Sequence, residues 1–335
     1  MDIISVITDI MRDIGITVEI INYPGALQSS VQGLKELFTL AGRLCEAEGL
    51  PERFDVELLN AGDLGRRAGA RRKTLHSARR VVIVPANMDG NYYLAPSQEL
   101  KALLAERHAG GALVCSVCAG AFILASAGLL RGRAATTHWM LAGEFSRAYP
   151  QVRLDIDRIL VNDGEIVTSG GMMAWVDLGL ELVARYCGLG IMRRLGKILL
   201  VDTAPREQNY YRSFLPRLDH GDKEILKAQH HIQANFSSTM SIRDLATLCL
   251  LGERTFLRRF TKATRFTPTK YVQQVRIQKA CELLESTNDS VENISLLAGY
   301  QDLSAFRRLF IKSMGLTPRD FRRRFSAAVC GPSHQ

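Results

Sequence analysis

The chain has 335 residues, 47% hydrophobic and 23% charged, a globular composition that excludes a fibrous or disordered protein and is long enough for two cores. Its formal net charge of +9 is unevenly placed: residues 1–220 hold 25 Lys/Arg against 24 Asp/Glu, whereas residues 221–335 hold 18 against 10. The last third is therefore the part a polyanion would bind, and an acidic protein or a membrane surface fits the charge as well.

Met1–Ile14 is apolar in part, but Asp2, Asp9, Arg12 and Asp13 interrupt any signal-peptide core. No run approaches the ~18 apolar residues of a membrane span. Seven cysteines at irregular spacing do not form a disulfide framework. A soluble, cytoplasmic protein without membrane partners is expected. Gly15–Tyr23 is β-branched and apolar, and a helical pattern follows through Val31–Glu48. Phe54–Leu59 alternates, Arg80–Pro85 is a short buried-strand run, and Ser97–Arg107 is helical. Ala112–Val117 is a strand and Gly120–Leu130 a helix of small residues. Val152–Ile159 and Glu165–Thr168 are expected to pair as a hairpin around Asn162-Asp163-Gly164, and Val176–Tyr186 is helical. Strands alternating with helices imply a parallel sheet covered on both faces. The pattern breaks over 201–221, expected to be a linker between a domain at 1–200 and an all-α domain at 222–328.

The all-α part repeats itself at an offset of fifty residues. Phe256, Arg258, Phe260, Lys262, Thr267-Pro268 and Tyr271 correspond to Phe306, Arg308, Phe310, Lys312, Thr317-Pro318 and Phe321. The phenylalanines, four apart, share one helix face and anchor it, while the basic residues fall on the other side. Ser241-Ile-Arg-Asp and Ser290-Val-Glu-Asn start shorter helices, which turn near Leu251-Gly252 and Gly299-Tyr300. Helix, tight turn and basic helix is a helix-turn-helix, here present twice and joined by a long helix over Thr269–Glu285.

Residues from about Gln229 to Phe325 resemble the AraC/XylS regulator DNA-binding domain, through LATLC, GERTFLRRF, TPTKYVQQVRIQKACELL and ISLLAGYQDLSAFRRLFIKSMGLTPRDFRR. Two positions depart from that pattern. Gly252 replaces the usual Ser at the first turn, removing a cap hydrogen bond worth ~1 kcal/mol, and Ser295 replaces an Ala. The resemblance implies two recognition helices in successive major-groove faces of double-stranded DNA. Thr255, Arg258, Ser304 and Arg307 are the candidates for base edges, and Arg254 and Arg308 for bases or phosphates. Arg259, Lys262, Arg265, Lys312 and Arg322–Arg324 are expected to neutralise phosphates. A solvated basic face is the alternative for any one arginine.

In the first domain, Leu113–Val117 runs through Cys118-Ala119-Gly120 into a helix. Such a nucleophile elbow places a side chain at a helix N-terminus, where the dipole lowers a thiol pKa; His138 lies twenty residues on as a possible base. With Tyr23-Pro24-Gly25, Thr168-Ser169-Gly170-Gly171 and Asp177, this region resembles the PfpI-type, class I glutamine-amidotransferase-like superfamily, specifically the GlxA-like variant fused to AraC modules. The resemblance implies a flavodoxin-like parallel sheet. Its enzymes pair the cysteine with a histidine and often an early acidic residue, but that acidic position falls on Ser30 here.

Cys118 is thus an enzyme nucleophile, the lining of an effector pocket at the carboxyl end of the sheet, or an inert remnant. The pocket reading groups Cys118 with Ala119, His138, Ser30, Gly170 and Gly171. Cys115 lies within the strand, pointing away from Cys118, so a C-x-x-C redox pair is not expected. His230-His231 alone is too little for a metal site. The expectation is a transcription activator rather than an enzyme, without cofactor or metal, homodimeric, answering to a small nitrogenous metabolite and engaging RNA polymerase. A cysteine-dependent amidase or peptidase, or a redox sensor, tethered to DNA is the alternative.

Overall fold

The β-branched run at Gly15 forms the strand on which the first unit is built. In the computed structural model, which describes residues 15–66 and 79–326, one unit ends at Gln208 and the other begins at Asn209. The expected linker 201–221 is therefore divided between the two. The Met1–Ile14 stretch and the last two residues of the 222–328 module lie outside the described residues.

The first unit contains β1 (Gly15–Asn22), α1 (Gln28–Ala47), β2 (Arg53–Asn60), β3 (Arg79–Val84), α2 (Gln98–Ala109), β4 (Leu113–Val117) and α3 (Gly120–Ser126). There follow β5 (Ala134–Ala135), α4 (Ala142–Ala148), β6 (Arg153–Leu154), β7 (Leu160–Asn162), β8 (Ile166–Ser169) and α5 (Trp175–Leu199). The main sheet has the order β2-β1-β3-β4-β8-β7, parallel except for the β7–β8 pair at its edge. β3 and β4 are buried nearly throughout, as strands covered on both faces must be. Glu19, buried in β1, is neutralised by Arg80 and by Arg107 from α2, whose Nε lies 2.8 Å from its Oε2. A charge so placed is tolerated only when paired.

Three expectations change. The hairpin is made by β7, not by Val152–Ile159, of which only Arg153–Leu154 is strand and pairs with β5. Asp155 Oδ1 accepts the Asp157 N–H at 3.2 Å, a side-chain turn that ends the extended run. The helix expected to reach Leu130 stops at Ser126, just before Gly128 enters the left-handed region. α5 continues past Tyr186 to Leu199, with a break at Gly188 (φ 85°).

The second unit is helical: α6 (Lys223–Ala234), α7 (Ile242–Leu248), α8 (Glu253–Thr264), α9 (Pro268–Ser286), α10 (Val291–Leu297), α11 (Leu303–Met314) and α12 (Pro318–Phe325). The central helix α9 serves two cores. Its Tyr271 and Val275 pack with Phe256 and Phe260, and its Ile277, Ala280, Cys281 and Leu284 pack with Phe306, Phe310 and Phe321. Thr267 and Thr317 cap α9 and α12 with Pro at the first helical position, as their sequence indicates. Among the described residues no helix is long and apolar enough to cross a membrane.

Candidate functional site

The two basic helices α8 and α11 each bury a phenylalanine pair and turn their cations outward. Arg254, Arg258 and Lys262 are exposed on α8; Ser304, Arg307, Arg308 and Lys312 are exposed on α11; Thr255 is half-buried. Among the described residues no ion pair engages Arg254, Arg258, Lys262, Arg308 or Lys312, so their charges face solvent. Other expected cations are already committed. Arg259 forks onto Asp222, with Nη2–Oδ1 at 2.6 Å and Nε–Oδ2 at 3.0 Å, and this guanidinium holds the Asp222 carboxyl below the usual range. A phosphate contact by Arg259, as expected from the sequence, would have to compete with this fork. Arg307 pairs with Glu292 at 3.0 Å. In the Arg322–Arg324 run, Arg322 donates to the Asp289 carbonyl, Arg323 pairs with Asp320 at 2.8 Å, and Arg324 donates to the Tyr211 hydroxyl at 3.1 Å. Arg322 and Arg324 thus tie α12 to distant parts of the module, whereas Arg323 stays 76% exposed.

At the carboxyl edge of the sheet, Cys118 has φ 54°, the strained turn between β4 and α3 that the elbow motif requires. It is 4% exposed. Burial pushes its thiol up to about 11, although the Ala119 and Gly171 N–H groups face the sulfur and pull the other way. The expected lowering by the helix is thus overridden by desolvation. No hydrogen bond joins Cys118 to His138 among the described residues. His138 instead accepts the Met140 N–H on Nδ1 at 3.1 Å, which leaves its proton on Nε2, and burial lowers its pKa. Ser30, at the first turn of α1, is fully buried and its Oγ has no partner; the buried Trp175 Nε1 has none either. The Trp175 ring fills the space beside Gly33, one turn after Ser30, where a Cβ would lie 2.5 Å from it. Gly170 is equally constrained, since a Cβ there would lie 2.4 Å from Gln208 Nε2 and 2.7 Å from the Thr137 carbonyl. Ser30, Cys118, Gly170 and Gly171 all follow the carboxyl ends of parallel strands, where open α/β sheets form their crevice. Among the described residues no group of three or more His, Cys, Asp or Glu is placed to hold a metal.

Residues 245–324 match the family model described as a helix-turn-helix domain, and residues 73–185 match that of the DJ-1/PfpI family. The chain joins a DJ-1/PfpI domain to an AraC-type helix-turn-helix domain. The HTH-type transcriptional regulator GbdR of Pseudomonas aeruginosa is 26% identical over 208 residues, 62% of this chain and 56% of GbdR. The regulator CdhR of the same organism is 27% identical over 213 residues, 63% of each chain. The regulator GlxA of Rhizobium meliloti is 26% identical over 217 residues, 64% of this chain and 66% of GlxA. The match thus spans little more than half the length of GbdR.

The first unit also ends in a buried polar residue that sequence reasoning placed in the linker. Gln208 is 2% exposed and inserted among the residues after β5, where its Oε1 accepts the Trp139 N–H at 2.8 Å. Its Nε2 donates to the carbonyls of Thr137 and Ile156 at 3.0 and 3.1 Å. A polar residue in an aperiodic stretch carries no pattern that marks it as buried, so no local signal could have found it.

Proposed function

We propose that this protein is a sequence-specific DNA-binding transcription regulator whose DJ-1/PfpI domain binds a small-molecule effector and does not catalyse a reaction. The observation that carries the DNA-binding reading is the duplicated helix-turn-helix, with unpaired cations on the outer faces of both basic helices. Two insertions into one duplex fit a pair of major-groove faces about one helical turn apart. The effector reading is supported by the orphaned polar groups of Ser30 and Trp175 at the carboxyl edge of the sheet. A small nitrogenous metabolite as effector, a homodimer on paired half-sites, and contact with RNA polymerase in activation complete the proposal.

Against catalysis stand the missing acidic residue at Ser30, the histidine engaged elsewhere and the protonated thiol. With its pKa at about 11, on the order of one Cys118 in ten thousand is thiolate at pH 7. Alkylation of Cys118 by iodoacetamide, followed by peptide mass spectrometry, is expected to accelerate through pH 9–11; a rate already saturated at pH 8 would revive the nucleophile. The sign for stability follows from the same shift. The contribution of the raised thiol is complete below its unfolded value of 9.0 and is lost as pH climbs through about 11.

DNA binding is tested with the full chain on duplexes selected by the protein from a random-sequence pool. Affinity for the selected duplex is expected to fall steeply with salt, by about a thousandfold or more between 50 and 200 mM if six or more phosphates are neutralised. Failure to enrich any sequence, or binding indifferent to salt, would remove the regulator reading.

A further inference from the structure

Thr137 Oγ1 donates to the Cys118 carbonyl at 2.8 Å, and the Thr137 carbonyl accepts from Gln208 Nε2 at 3.0 Å. The Gln208 N–H is held by the Asp157 carbonyl at 2.7 Å, and Gly170 leaves the space that its amide fills. Gln208 is thus two hydrogen bonds from the Cys118 peptide, and its position is fixed on several sides.

The next residue belongs to the other unit. Asn209 is buried there against Gly315, the left-handed residue that ends the second basic helix α11; a Cβ on Gly315 would lie 2.7 Å from the Asn209 side chain. Arg324 of α12 lies over the rings of Tyr210 and Tyr211, 5.4 and 5.7 Å from their centroids. Phe214 then enters the first core, 5.1 Å from Tyr271 and 5.8 Å from Phe266, and its N–H is held by Gln278 of α9. The Arg217 carbonyl accepts from the buried Gln229, whose Oε1 meets His220 Nε2 at 2.7 Å. Asp222 ends the segment on Arg259 of the first basic helix α8. Residues 209–222 therefore form a strap that touches the end of one recognition helix and the flank of the other.

We propose that Gln208 is a positioning residue that couples the carboxyl-edge site of the DJ-1/PfpI domain to both recognition helices through this strap. The inference rests on the regulator reading above. A ligand that shifts the Thr136–Trp139 segment or the Gly170 turn must move the Gln208 amide or break its bonds, and the peptide that follows is packed on α11. Coupling of this kind is reciprocal, so DNA bound at the helices must alter the site to the same degree as the site alters DNA binding. The effector therefore need not be known for the test.

The experiment measures backbone hydrogen exchange of the full chain with and without a duplex it has selected. In the parent chain the exchange of 136–140 and 170–172 is expected to shift by about fivefold or more on DNA binding, the lower end of ordinary coupling. Fluorescence of the two tryptophans, Trp139 and Trp175, both in the DJ-1/PfpI domain, gives an independent readout of the same shift. Gln208→Ala is expected to abolish both responses while duplex affinity persists. Gln208→Met retains the volume beside Gly170 and removes the amide, so it gives the same result if the alanine variant folds poorly. Responses that survive in the methionine variant, or a parent chain that binds duplex without any change at the site, would overturn the inference. A chain that selects no duplex overturns the regulator reading itself, and this inference with it.

Discussion

The two helix-turn-helix units differ most where the backbone makes special demands. The turn before α8 puts Leu250 in the left-handed region at φ 53°, whereas the turn before α11 uses Gly299 at φ 86°. α8 begins at Gly252 with no side-chain cap, whereas α11 begins at Asp302, whose Oδ1 accepts the Ser304 and Ala305 N–H groups at 2.7 and 3.2 Å. α8 ends on left-handed Arg265, α11 on left-handed Gly315. At each position the first unit carries the residue that fits less well. It has more to pack against in exchange: α6 contributes Ile225, Ala228 and Ile232, and the strap contributes Phe214. The second core is closed by Phe321 and Phe325 of α12, and the place that α6 takes in the first is filled there by Ile277, Ala280, Cys281 and Leu284 of α9. The first unit thus gains Phe214 of the strap, whereas the second has the better local chemistry at its turn and caps.

The largest expected effects test whether the two cores separate. Phe310→Ala and Phe260→Ala should each cost ~3–5 kcal/mol, because both rings are fully buried. Hydrogen exchange should show loss of protection confined to 291–325 for the first and to 223–264 for the second. Loss across both units from either change would show that α9 makes them one cooperative body. Gly299→Ala should cost ~2–3 kcal/mol in urea unfolding, since a Cβ there meets the Ser237 Cα at 2.7 Å as well as an unfavourable φ.

On DNA the comparison takes another form. Arg258→Ala should weaken binding to the selected duplex by ~1–3 kcal/mol and relax base preference at one position. Arg307→Ala should cost less, because Arg307 must first leave Glu292. Equal losses at unchanged sequence preference would assign both arginines to phosphates.

The smallest effects are gains. Leu250→Gly should stabilise by ~1 kcal/mol, since the leucine is 88% exposed and loses little burial while its backbone strain is relieved. Gly252→Ser should add only about 0.3 kcal/mol, less than the ~1 kcal/mol expected from the sequence, because Gly252 already adopts the extended cap conformation. A scanning-calorimetry gain from Gly252→Ser as large as that from Leu250→Gly would invert this ranking.

Much of the second unit was legible because periodicity and caps are local. The fifty-residue repeat located both phenylalanine pairs, both Thr-Pro starts and the long helix between the units. It concealed one detail: the first helices are offset by forty-nine residues, Ser241 to Ser290 and Leu250 to Gly299, and the second turn is one residue longer. In the first unit the strand runs of β1, β3 and β4 and the elbow at Cys118 were equally local. The short strands β5, β6 and β7 were not, because two or three residues carry no period.

The sequence by itself determined that a parallel α/β domain precedes a duplicated helix-turn-helix, and that Cys118 sits at a strand-to-helix turn without an acidic partner at Ser30. Only the tertiary structure decided which cations remain free, since Arg259, Arg307, Arg322 and Arg324 find partners through contacts remote in sequence. It also decided the state of the Cys118 thiol, because desolvation depends on what surrounds the sulfur and not on the motif that presents it. The third decision concerns residues 201–222, which lack a pattern because their order comes from pockets made by other elements: Gly170 for Gln208, Gly315 for Asn209, and Tyr271 for Phe214.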